Sequence, residues 1–327
     1  MVHSTKILAS AMVGVASLFL AFSPALAQTN TPDKPIRFVV PYSAGGPTDI
    51  VARAIGQKLT DAIHQTVIID NKPGGNEIIG ADHVAKSAPD GTTFLFATDA
   101  GLSLNKYLYS KLPYDPEKDF VPVTRIADAQ MVLVAPTNVE TLADFIKQGK
   151  AAPGALSYAS AGLGNTSHLA MEWFASLNTM TLTHVPYKGA AAAFPDLATG
   201  RVSGMFTAVT AALPQIQQGK LKALAMSGPK RLAALPNVPT FTELGYKDFE
   251  ASFYLGLVAP KGTPPAIVNR MATELRKILS TPEFKAHSID TWGLEPIGDS
   301  PAEFAAYLKR DFARSAQRIK IANVKLD

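Results

Sequence analysis

Short apolar runs alternate with longer runs of helical spacing along most of the chain. Residues 36–40 are apolar and partly β-branched, as is typical of a buried strand. After Gly46 the period changes to one apolar residue every four positions, which predicts a helix through Val51, Ile55, Leu59 and Ile63. Pro47 and Asp49 suit the first turn of that helix, because proline needs no N–H donor there and a carboxylate favours the positive helix end. Residues 40–49 are therefore predicted to form a strand-to-helix loop.

The same alternation continues to about residue 218. The predicted strands are 66–69, 92–97, 131–136, 155–159, 181–186 and 202–207. The predicted helices are 79–87, 141–149, 166–177, 190–199 and 211–218. Repeated strand–helix–strand order predicts an α/β fold with helices on the faces of parallel sheets. There are enough predicted strands for two modest sheets.

Two loops of the predicted fold share a short sequence. Ser-Ala-Gly occurs at residues 43–45, after the first strand, and again at residues 160–162, after the strand-like segment 155–159. A helical pattern follows each loop. Ligands bind open α/β folds beyond the carboxyl ends of the strands, so the repeat predicts two α/β lobes, each with a glycine-rich loop facing a ligand.

The N-terminal residues have the pattern of a secretory signal peptide. Lys6 precedes an apolar run over residues 7–22, and Ala25-Leu26-Ala27 forms a small-x-small cleavage site. The apolar run is shorter than the roughly 20 residues that a membrane span needs. We expect cleavage after Ala27 and an exported mature chain that begins at Gln28.

Charge and composition argue against several classes of protein. Removal of residues 1–27 takes away Lys6 alone among the charged residues, so the net charge falls from +4 to +3. A charge this small argues against a nucleic-acid partner. The dense basic cluster has helical spacing and predicts a solvated helix face: Lys309, Arg310, Arg314, Arg318 and Lys320. The chain has no cysteine, so its 47% apolar residues must stabilise it through a hydrophobic core.

The sequence lacks the motifs of nucleotide and metal sites. Ala44-Gly45-Gly46 does not have the Gly-x-Gly-x-x-Gly spacing of a dinucleotide site, and no Gly-Lys-Ser/Thr phosphate loop occurs. The histidines form no i, i+4 pair and no cysteine accompanies them. We therefore expect neither a metal nor a cofactor.

A serine hydrolase is the main alternative to a binding protein. Ser160 and His168 lie eight residues apart around the second loop, but the chain contains no Gly-x-Ser-x-Gly elbow. His168 falls in the first turn of the predicted helix, where it either contacts a ligand or only caps and packs that helix. An exported hydrolase that uses Ser160 and His168 stays open at this point.

Binding without catalysis suits the two loops better. The N-terminus of a helix exposes unpaired N–H groups and the positive end of its dipole, so a glycine-rich loop before it can bind a carboxylate through the backbone. Two such loops, one in each lobe, would hold one anion between them.

Ordered motifs along the chain resemble those of a known family. They are Pro41-x-x-Ala44-Gly45-Gly46-x-x-Asp49-x-x-Ala52-Arg53, Asn71-x-Pro73-Gly74, Ala88-Pro89-Asp90-Gly91, Tyr158-x-Ser160-x-Gly162-x-Gly164-x-x-x-His168-Leu169, Val185-Pro186-Tyr187-Lys188-Gly189 and Leu221-x-Ala223-Leu224-Ala225. Together they resemble the substrate-binding receptors of tripartite tricarboxylate transporters, the Bug or TctC-like family. The match covers nearly the whole mature chain.

The resemblance implies a bilobal α/β fold of the type 2-like, Venus-flytrap kind, with a hinge that the chain crosses twice. It places residues 28–128 and 252–327 in lobe I and residues 129–251 in lobe II. It also implies a periplasmic receptor, not an enzyme, that captures a small aliphatic or aromatic carboxylate and delivers it to integral membrane permease subunits. We expect the receptor to be a monomer without a cofactor or a nucleic-acid partner.

The resemblance and the loop pattern together predict the ligand contacts. In lobe I they are Tyr42, Ser43, Ala44, Gly45, Gly46, Thr48, Asp49, Thr98 and Asp99. In lobe II they are Ser160, Ala161, Gly162, Gly164, Asn165, Thr166, His168 and Thr207. Asp49 is expected to position its loop, and Asn165 or Thr166 to cap the following helix. Apart from Arg53 no arginine lies in these loops, so carboxylate binding would depend on neutral donors.

Several positions differ from the family pattern or allow two interpretations. Asn76 and Glu77 replace glycines after Gly74, and a carboxylate near the cleft repels an anion unless it is paired or points to solvent. Thr207 stands where relatives often carry Asp, and Lys188 is interpreted as a solvated turn residue. Four aromatic residues either line the middle of the cleft or belong to the hinge and core: Tyr42, Phe206, Phe253 and Tyr254.

Overall fold

The computed structural model describes residues 34–228, 230–247, 249, 251–322, 324 and 326. The predicted signal peptide, its cleavage after Ala27 and the mature start at Gln28 lie outside these residues. Within the described ranges, no helix is both long enough and apolar enough to cross a membrane.

Strands and helices alternate largely where the sequence predicts them. The strands are β1 (Ile36–Val40), β2 (Val67–Asn71), β3 (Thr93–Thr98), β4 (Phe120–Ala135), β5 (Ser157–Ser160), β6 (Thr183–Pro186), β7 (Gly204–Ala208), β8 (Lys222–Met226), β9 (Ser252–Pro260) and β10 (Leu294–Pro296). The helices are α1 (Pro47–Ile63), α2 (Ile78–Ala85), α3 (Asn105–Leu108), α4 (Leu142–Ala151), α5 (Thr166–Leu177), α6 (Ala190–Ala198), α7 (Val209–Gln217), α8 (Pro265–Ser280), α9 (Pro282–His287) and α10 (Pro301–Ala322). Short π-helical turns occupy Ala100–Leu104 and Ser288–Trp292.

Strand β4 connects two ladders of strands. Its first part, to Gln130, pairs antiparallel with β9, and the ladder continues through β3 and β1 to β2. Its last part, from Met131, pairs antiparallel with β7 and β8, and β7 continues through β5 to β6. The strand order is β2-β1-β3-β9-β4-β7-β5-β6, with β8 and β10 beside β4. The two sheets expected from the sequence therefore share one long strand.

The pairing of the strands is mixed rather than purely parallel. Strands β1, β2 and β3 pair in parallel, and so do β5, β6 and β7. Strands β4 and β9 pair antiparallel with their neighbours. The expectation of parallel sheets is correct for the strand–helix–strand units and wrong for β4 and β9, and β8 and β10 also pair antiparallel with β4.

The sequence pattern finds only the last part of β4. Residues 120–130 contain Pro122, Arg125 and Asp128, which interrupt the apolar pattern. The pairing with β9 shifts register twice here, between Pro122 and Thr124 and between Arg125 and Ala127. Register shifts of this kind allow a strand to continue past residues that break its alternation. The sequence pattern likewise does not predict β8, β9 or α8.

Each ladder has its own hydrophobic core. On the first, α1 and α8 cover the sheet, and Val51, Ile55 and Leu59 of the predicted helical stripe are buried. On the second, aromatic rings surround Phe174 of α5 at centroid distances of 5.4 to 6.1 Å: Phe206, Phe241, Tyr246 and Phe249. We propose that the lobes divide at the predicted boundaries, 128/129 and 251/252.

Helix α10 carries the basic cluster, but this face of the helix is not wholly solvated. Lys309 and Arg310 are exposed, whereas the side chain of Arg318 is 20% exposed and Asp311 is 1% exposed. The prediction of a solvated face is wrong for Arg318, because the guanidinium pairs with the buried carboxylate of Asp99.

Phe174→Ala should lower the free energy of unfolding by about 3 to 5 kcal/mol, since it removes a fully buried ring and leaves a cavity. Urea unfolding of the variant and the parent protein measures the difference. Leu177→Ala is the matched control in the same helix, where the leucine is 52% exposed, and should cost less than about 1 kcal/mol. Equal losses for the two variants would contradict the assignment of Phe174 to the core.

Candidate functional site

The two Ser-Ala-Gly loops lie opposite each other. The first connects β1 to α1, and the second connects β5 to α5. The Ser43 hydroxyl donates to the backbone oxygen of Lys188 at 2.6 Å, and Asn165 Nδ2 donates to the Tyr42 hydroxyl at 2.8 Å. These bonds join residues of the two ladders, so the loops predicted from the sequence meet at one place.

An inner cavity of about 40 Å³ lies between the loops. Helices α1, α5, α6 and α7 begin at its wall, after Gly46, Asn165, Gly189 and Ala208 respectively. Asn165 caps its own helix, because its side chain accepts from Ser167 N at 2.9 Å. Glycine and alanine have no side-chain acceptor, so the first N–H groups of α1, α6 and α7 are not capped in this way. Several positive helix ends therefore converge on the cavity.

Many of the predicted contact residues line the inner cavity: Tyr42, Gly46, Thr48, Thr98, Asp99, Ala161, Asn165, Thr166 and Thr207. Phe206 and Phe253 line it as well, whereas Tyr254 packs in the core with Phe304. The remaining lining residues are ones that the sequence pattern does not select: Pro47, Met131, Ser167, Gly189, Ala190 and Ala208. Gly189 and Ala208 could have been found from the sequence, because each lies between a predicted strand and the predicted helix that follows it.

In the first loop, Ser43, Ala44, Gly45 and Asp49 do not line the cavity. The Asp49 carboxylate accepts from Gly45 N at 2.9 Å and pairs with Arg53 at 2.9 Å. It also accepts from Asn71 Nδ2 at 2.9 Å. These bonds agree with the expectation that Asp49 positions its loop. Direct ligand contact by these four residues stays a prediction.

In the second loop, Ser160, Gly162, Gly164 and His168 lie outside the inner cavity. The Ser160 hydroxyl donates to the backbone oxygen of Gly162 at 3.0 Å, and Gly164 N donates to His168 Nδ1 at 3.0 Å. These bonds stabilise the conformation of the second loop. Direct ligand contact by Ser160, Gly162, Gly164 and His168 stays a prediction.

Stacked aromatic rings support the second loop. The imidazole centroids of His168 and His184 are 3.9 Å apart, and the His184 ring stacks on Tyr158 at 4.9 Å. The Tyr158 hydroxyl is hydrogen-bonded to Glu172. Burial lowers the pKa of His168 to about 3, with a smaller contribution from His184, and burial lowers the pKa of His184 to about 4. Both imidazoles are therefore neutral near pH 7.

Ser160 and His168 do not form the hydrogen-bonded pair that a hydrolase using these two residues would need. The Ser160 hydroxyl lies 2.6 Å from Nε2 of His184, not beside His168. Nδ1 of His168 is occupied by the N–H of Gly164, and Ser160 has no exposed surface. The described part of the chain also contains no group of three or more side chains that could hold a metal ion.

Glu77 is buried and its carboxyl group is hydrogen-bonded, although the residue also lines part of the cleft. It accepts from the Tyr42 hydroxyl at 2.7 Å and from Thr98 N at 3.2 Å, and it also contacts the Thr98 hydroxyl. Burial raises the pKa of Glu77 to about 8, although the hydrogen bonds from Thr98 and Tyr42 oppose the shift. Glu77 is therefore largely neutral near pH 7, and it holds Tyr42 in place.

Asp99 lines the inner cavity and has no exposed surface. Its Oδ2 accepts from the Thr166 hydroxyl at 2.8 Å and from Arg318 at 3.1 Å. Burial raises the pKa of Asp99 to about 7, while the Arg318 guanidinium opposes the shift. The sequence pattern missed Arg318, which lies 219 positions from Asp99, so an arginine does approach the cavity wall. Its charge is compensated by Asp99.

The end of the chain packs against the second loop. A small apolar cluster joins α10 to α5 and to the turn after β3: Ala100, Leu104, Leu108, Leu169, Ile319, Ala322 and Val324. Gly164 has φ +77, and a Cβ there would lie 2.6 Å from Leu108 and 2.8 Å from Leu326. Glycine suits this position because the positive φ strains any other residue, and two leucine methyl groups would have to move to admit a Cβ.

An outer chamber of about 330 Å³ adjoins the inner cavity and shares Tyr42 and Ala161 with it. Its other lining residues lie after β1, after β2, after α3 and around the ends of β5 and β6: Pro41, Pro73, Gly74, Gly75, Asn76, Glu77, Tyr109, Gly162, Leu163, Pro186, Tyr187 and Lys188. Lys188 is exposed, as predicted for a turn residue. The cleft thus has a small inner part and a larger outer part.

Two α/β ladders with a cleft between helix starts define a two-lobed binding protein. The model of the tripartite tricarboxylate transporter family receptor matches residues 51–324. The chain belongs to this family.

Solved structures agree with the family and the fold. The periplasmic binding protein BugD is 33% identical, with a TM-score of 0.84 over 90% of this chain and 99% of that chain. Rpa4515 of R. palustris with adipate is 33% identical, with a TM-score of 0.87 over 90% and 99%. MatC of Rhodopseudomonas palustris with bound malate is 29% identical, with a TM-score of 0.81 over 87% and 98%. The predicted family and the predicted bilobal binding-protein fold are confirmed.

Arg318→Gln should lower the free energy of unfolding by about 3 kcal/mol at pH 8, because it leaves the buried Asp99 carboxylate without its countercharge. The loss should shrink at pH 5, since burial raises the pKa of Asp99 and protonation removes the unpaired charge. Urea unfolding at the two pH values measures both effects. Arg310→Gln, an exposed arginine of the same helix, is the control and should change the free energy by less than about 0.5 kcal/mol.

His168→Gln should gain stability relative to the parent protein as the pH falls from 6.5 to 5. In the unfolded chain the imidazole of His168 has a pKa of about 6.5. In the folded protein burial lowers the pKa of His168 to about 3. The unfolded state therefore binds more protons as the pH falls, and the parent protein loses stability over this range. The difference in unfolding free energy should change by up to about 1.4 kcal/mol per pH unit. Acidic groups contribute equally to both proteins and cancel in the difference. A constant difference would mean that His168 titrates alike when folded and unfolded.

Proposed function

We propose that this protein is a periplasmic receptor that captures a small organic carboxylate in the cleft and delivers it to a tripartite tricarboxylate-type membrane permease. The ligand is an aliphatic di- or tricarboxylate or an aromatic carboxylate. We further propose that the protein is exported with cleavage after Ala27, acts as a monomer and catalyses no reaction.

The convergence of helix starts on the inner cavity carries this proposal. Helices α1, α6 and α7 begin there after residues whose side chains do not cap them, so no capping side chain competes with a ligand oxygen for the N–H groups of their first turns. The Tyr42 and Asn165 side chains cross from one ladder to the other at the same place. A carboxylate bound here would contact both lobes, and such contacts favour a closed cleft.

Charges at the site are compatible with an anionic ligand. Glu77 is neutral near pH 7 because burial raises its pKa to about 8, and the charge of Asp99 is compensated by Arg318. The positive ends of the helix dipoles then favour an anion at the cavity. The structural relatives with adipate and with malate support a carboxylate as the ligand class.

A hydrolase function has no comparable support. Ser160 does not line the inner cavity, and the imidazole beside it belongs to His184 rather than His168. The family of the chain is one of transporter receptors.

Binding is tested by thermal-shift assays of the mature protein with aliphatic and aromatic mono-, di- and tricarboxylates. A ligand at roughly 100 times its dissociation constant should stabilise the protein by about 2.7 kcal/mol. The ligand should be recovered unchanged after incubation. No shift with any carboxylate would sink the proposal, and conversion of the ligand would show catalysis.

Asn165→Asp should weaken binding of the carboxylate identified in that assay by at least about 10-fold, because it adds a negative charge to the cavity wall. The aspartate still provides an acceptor for Ser167 N, so the cap of α5 is kept. Isothermal titration calorimetry measures the change.

The matched control is Asn178→Asp, the same substitution at the other end of α5 and away from the cavity lining. It should leave the affinity within about 2-fold of the parent value even if the protein is less stable. Equal losses of affinity would show that the charge acts through the fold rather than in the site.

A further inference from the structure

Among the described residues, hydrogen-bond donors contact only one of the two carboxylate oxygens of Asp99. Oδ2 accepts from Thr166 and Arg318, whereas Oδ1 is buried and has no hydrogen-bond partner within the part of the chain that the structure describes. A buried acceptor without a donor destabilises a protein. Because Asp99 lines the inner cavity, a ligand that places a donor there would remove this cost.

A second residue that lines the inner cavity also has a buried polar atom without a hydrogen-bond partner among the described residues. Thr207 Oγ1, at the end of β7, has no hydrogen-bond partner among the described residues. Its hydroxyl can donate one hydrogen bond and accept others, whereas an ionised carboxylate can only accept. Among other described residues with such an atom, Gln130, Tyr254 and Asp311 lie outside the lining of both spaces, and Asn76 lines the outer chamber. Asp99 and Thr207 both line the inner cavity.

We infer that the inner cavity selects carboxylates that carry a hydrogen-bond donor, a hydroxyl or an ammonium group, on the carbon next to the carboxyl group. The donor binds Oδ1 of Asp99, and the ligand carboxylate accepts from the Thr207 hydroxyl and from N–H groups at the helix starts. This inference rests on the proposed function and specifies the head group of the ligand.

The sizes of the two spaces agree with such a head group. The inner cavity of about 40 Å³ has room for a few heavy atoms, and the outer chamber of about 330 Å³ adjoins it through the wall shared at Tyr42 and Ala161. A 2-substituted carboxylate therefore places its head group beside Asp99 and the rest of the molecule toward the outer chamber. Arg318 compensates the charge of Asp99, so the nearby ligand carboxylate meets little net repulsion.

Three matched sets of ligands test the inference by isothermal titration calorimetry on the mature protein. They are succinate, malate and aspartate; glutarate, 2-hydroxyglutarate and glutamate; and phenylacetate, mandelate and phenylglycine. Within each set only the group on the second carbon changes, from hydrogen to hydroxyl to ammonium. In at least one set, a donor-bearing member should bind at least about 10-fold tighter than the plain member. The tighter of the two donor-bearing members identifies the donor.

Asp99→Asn tests the residue itself. With its oxygen directed at Thr166 and Arg318, the amide places an NH2 group where Oδ1 was. An ammonium group only donates, so an ammonium-bearing ligand should lose its advantage to within about 2-fold, whereas a hydroxyl can accept from the NH2 group and keeps part of its advantage. Asp115→Asn, the same substitution in a loop outside both spaces, should keep the full preference. Thr207→Val should lower the affinity for all members of a set by the same factor and leave the ratio of their affinities unchanged. This variant is the second test if Asp99→Asn does not fold.

The outcomes separate this inference from the proposed function. Equal affinities within every set that binds would overturn the donor requirement and leave a carboxylate receptor in place. Binding of other carboxylates in the thermal-shift panel, with none of the nine ligands bound, would likewise overturn the inference alone. Absence of binding to every carboxylate would overturn both.

Discussion

The buried carboxylate of Asp99 constrains the whole cleft. A charge without exposed surface is tolerated only with compensation nearby, and here the compensation comes from Arg318 near the other end of the chain. Thr166 donates to the same oxygen, so the end of β3, the first turn of α5 and the last turns of α10 meet at one atom. The position of the second loop therefore depends on the docking of the final helix. This dependence explains why α10 belongs to the site although it supplies no residue to the lining of the inner cavity.

The cavity combines acidic side chains with features that favour an anion. Glu77 is kept largely neutral by burial, and the Asp99 charge is compensated within the protein. The histidines behind the second loop are also neutral near pH 7, because burial lowers the pKa of both. What remains at the wall is a set of helix starts whose backbone N–H groups are fixed by the fold. Recognition by fixed backbone dipoles needs no reorganisation of long side chains.

The sequence was most informative where local pattern decides structure. The two Ser-Ala-Gly loops, the helix starts at Pro47 and Thr166 and the positioning role of Asp49 follow from residues that are close in the chain. The long strand β4 was only partly predicted, since polar residues and two register shifts hide its first half. Arg318 could not be placed at the site from its own neighbourhood, because a basic residue on an amphipathic helix usually faces solvent. Glu77 was recognised as unusual, but its burial depends on Tyr42 and Thr98, which are distant in sequence.

The last helix packs against both ladders. Phe304, Leu308 and Phe312 of α10 belong to a buried core of the first ladder, whereas Ile319 and Ala322 belong to the cluster behind the second loop. One continuous helix therefore spans the two sides of the cleft, and a shift of this helix is transmitted to both ladders at once.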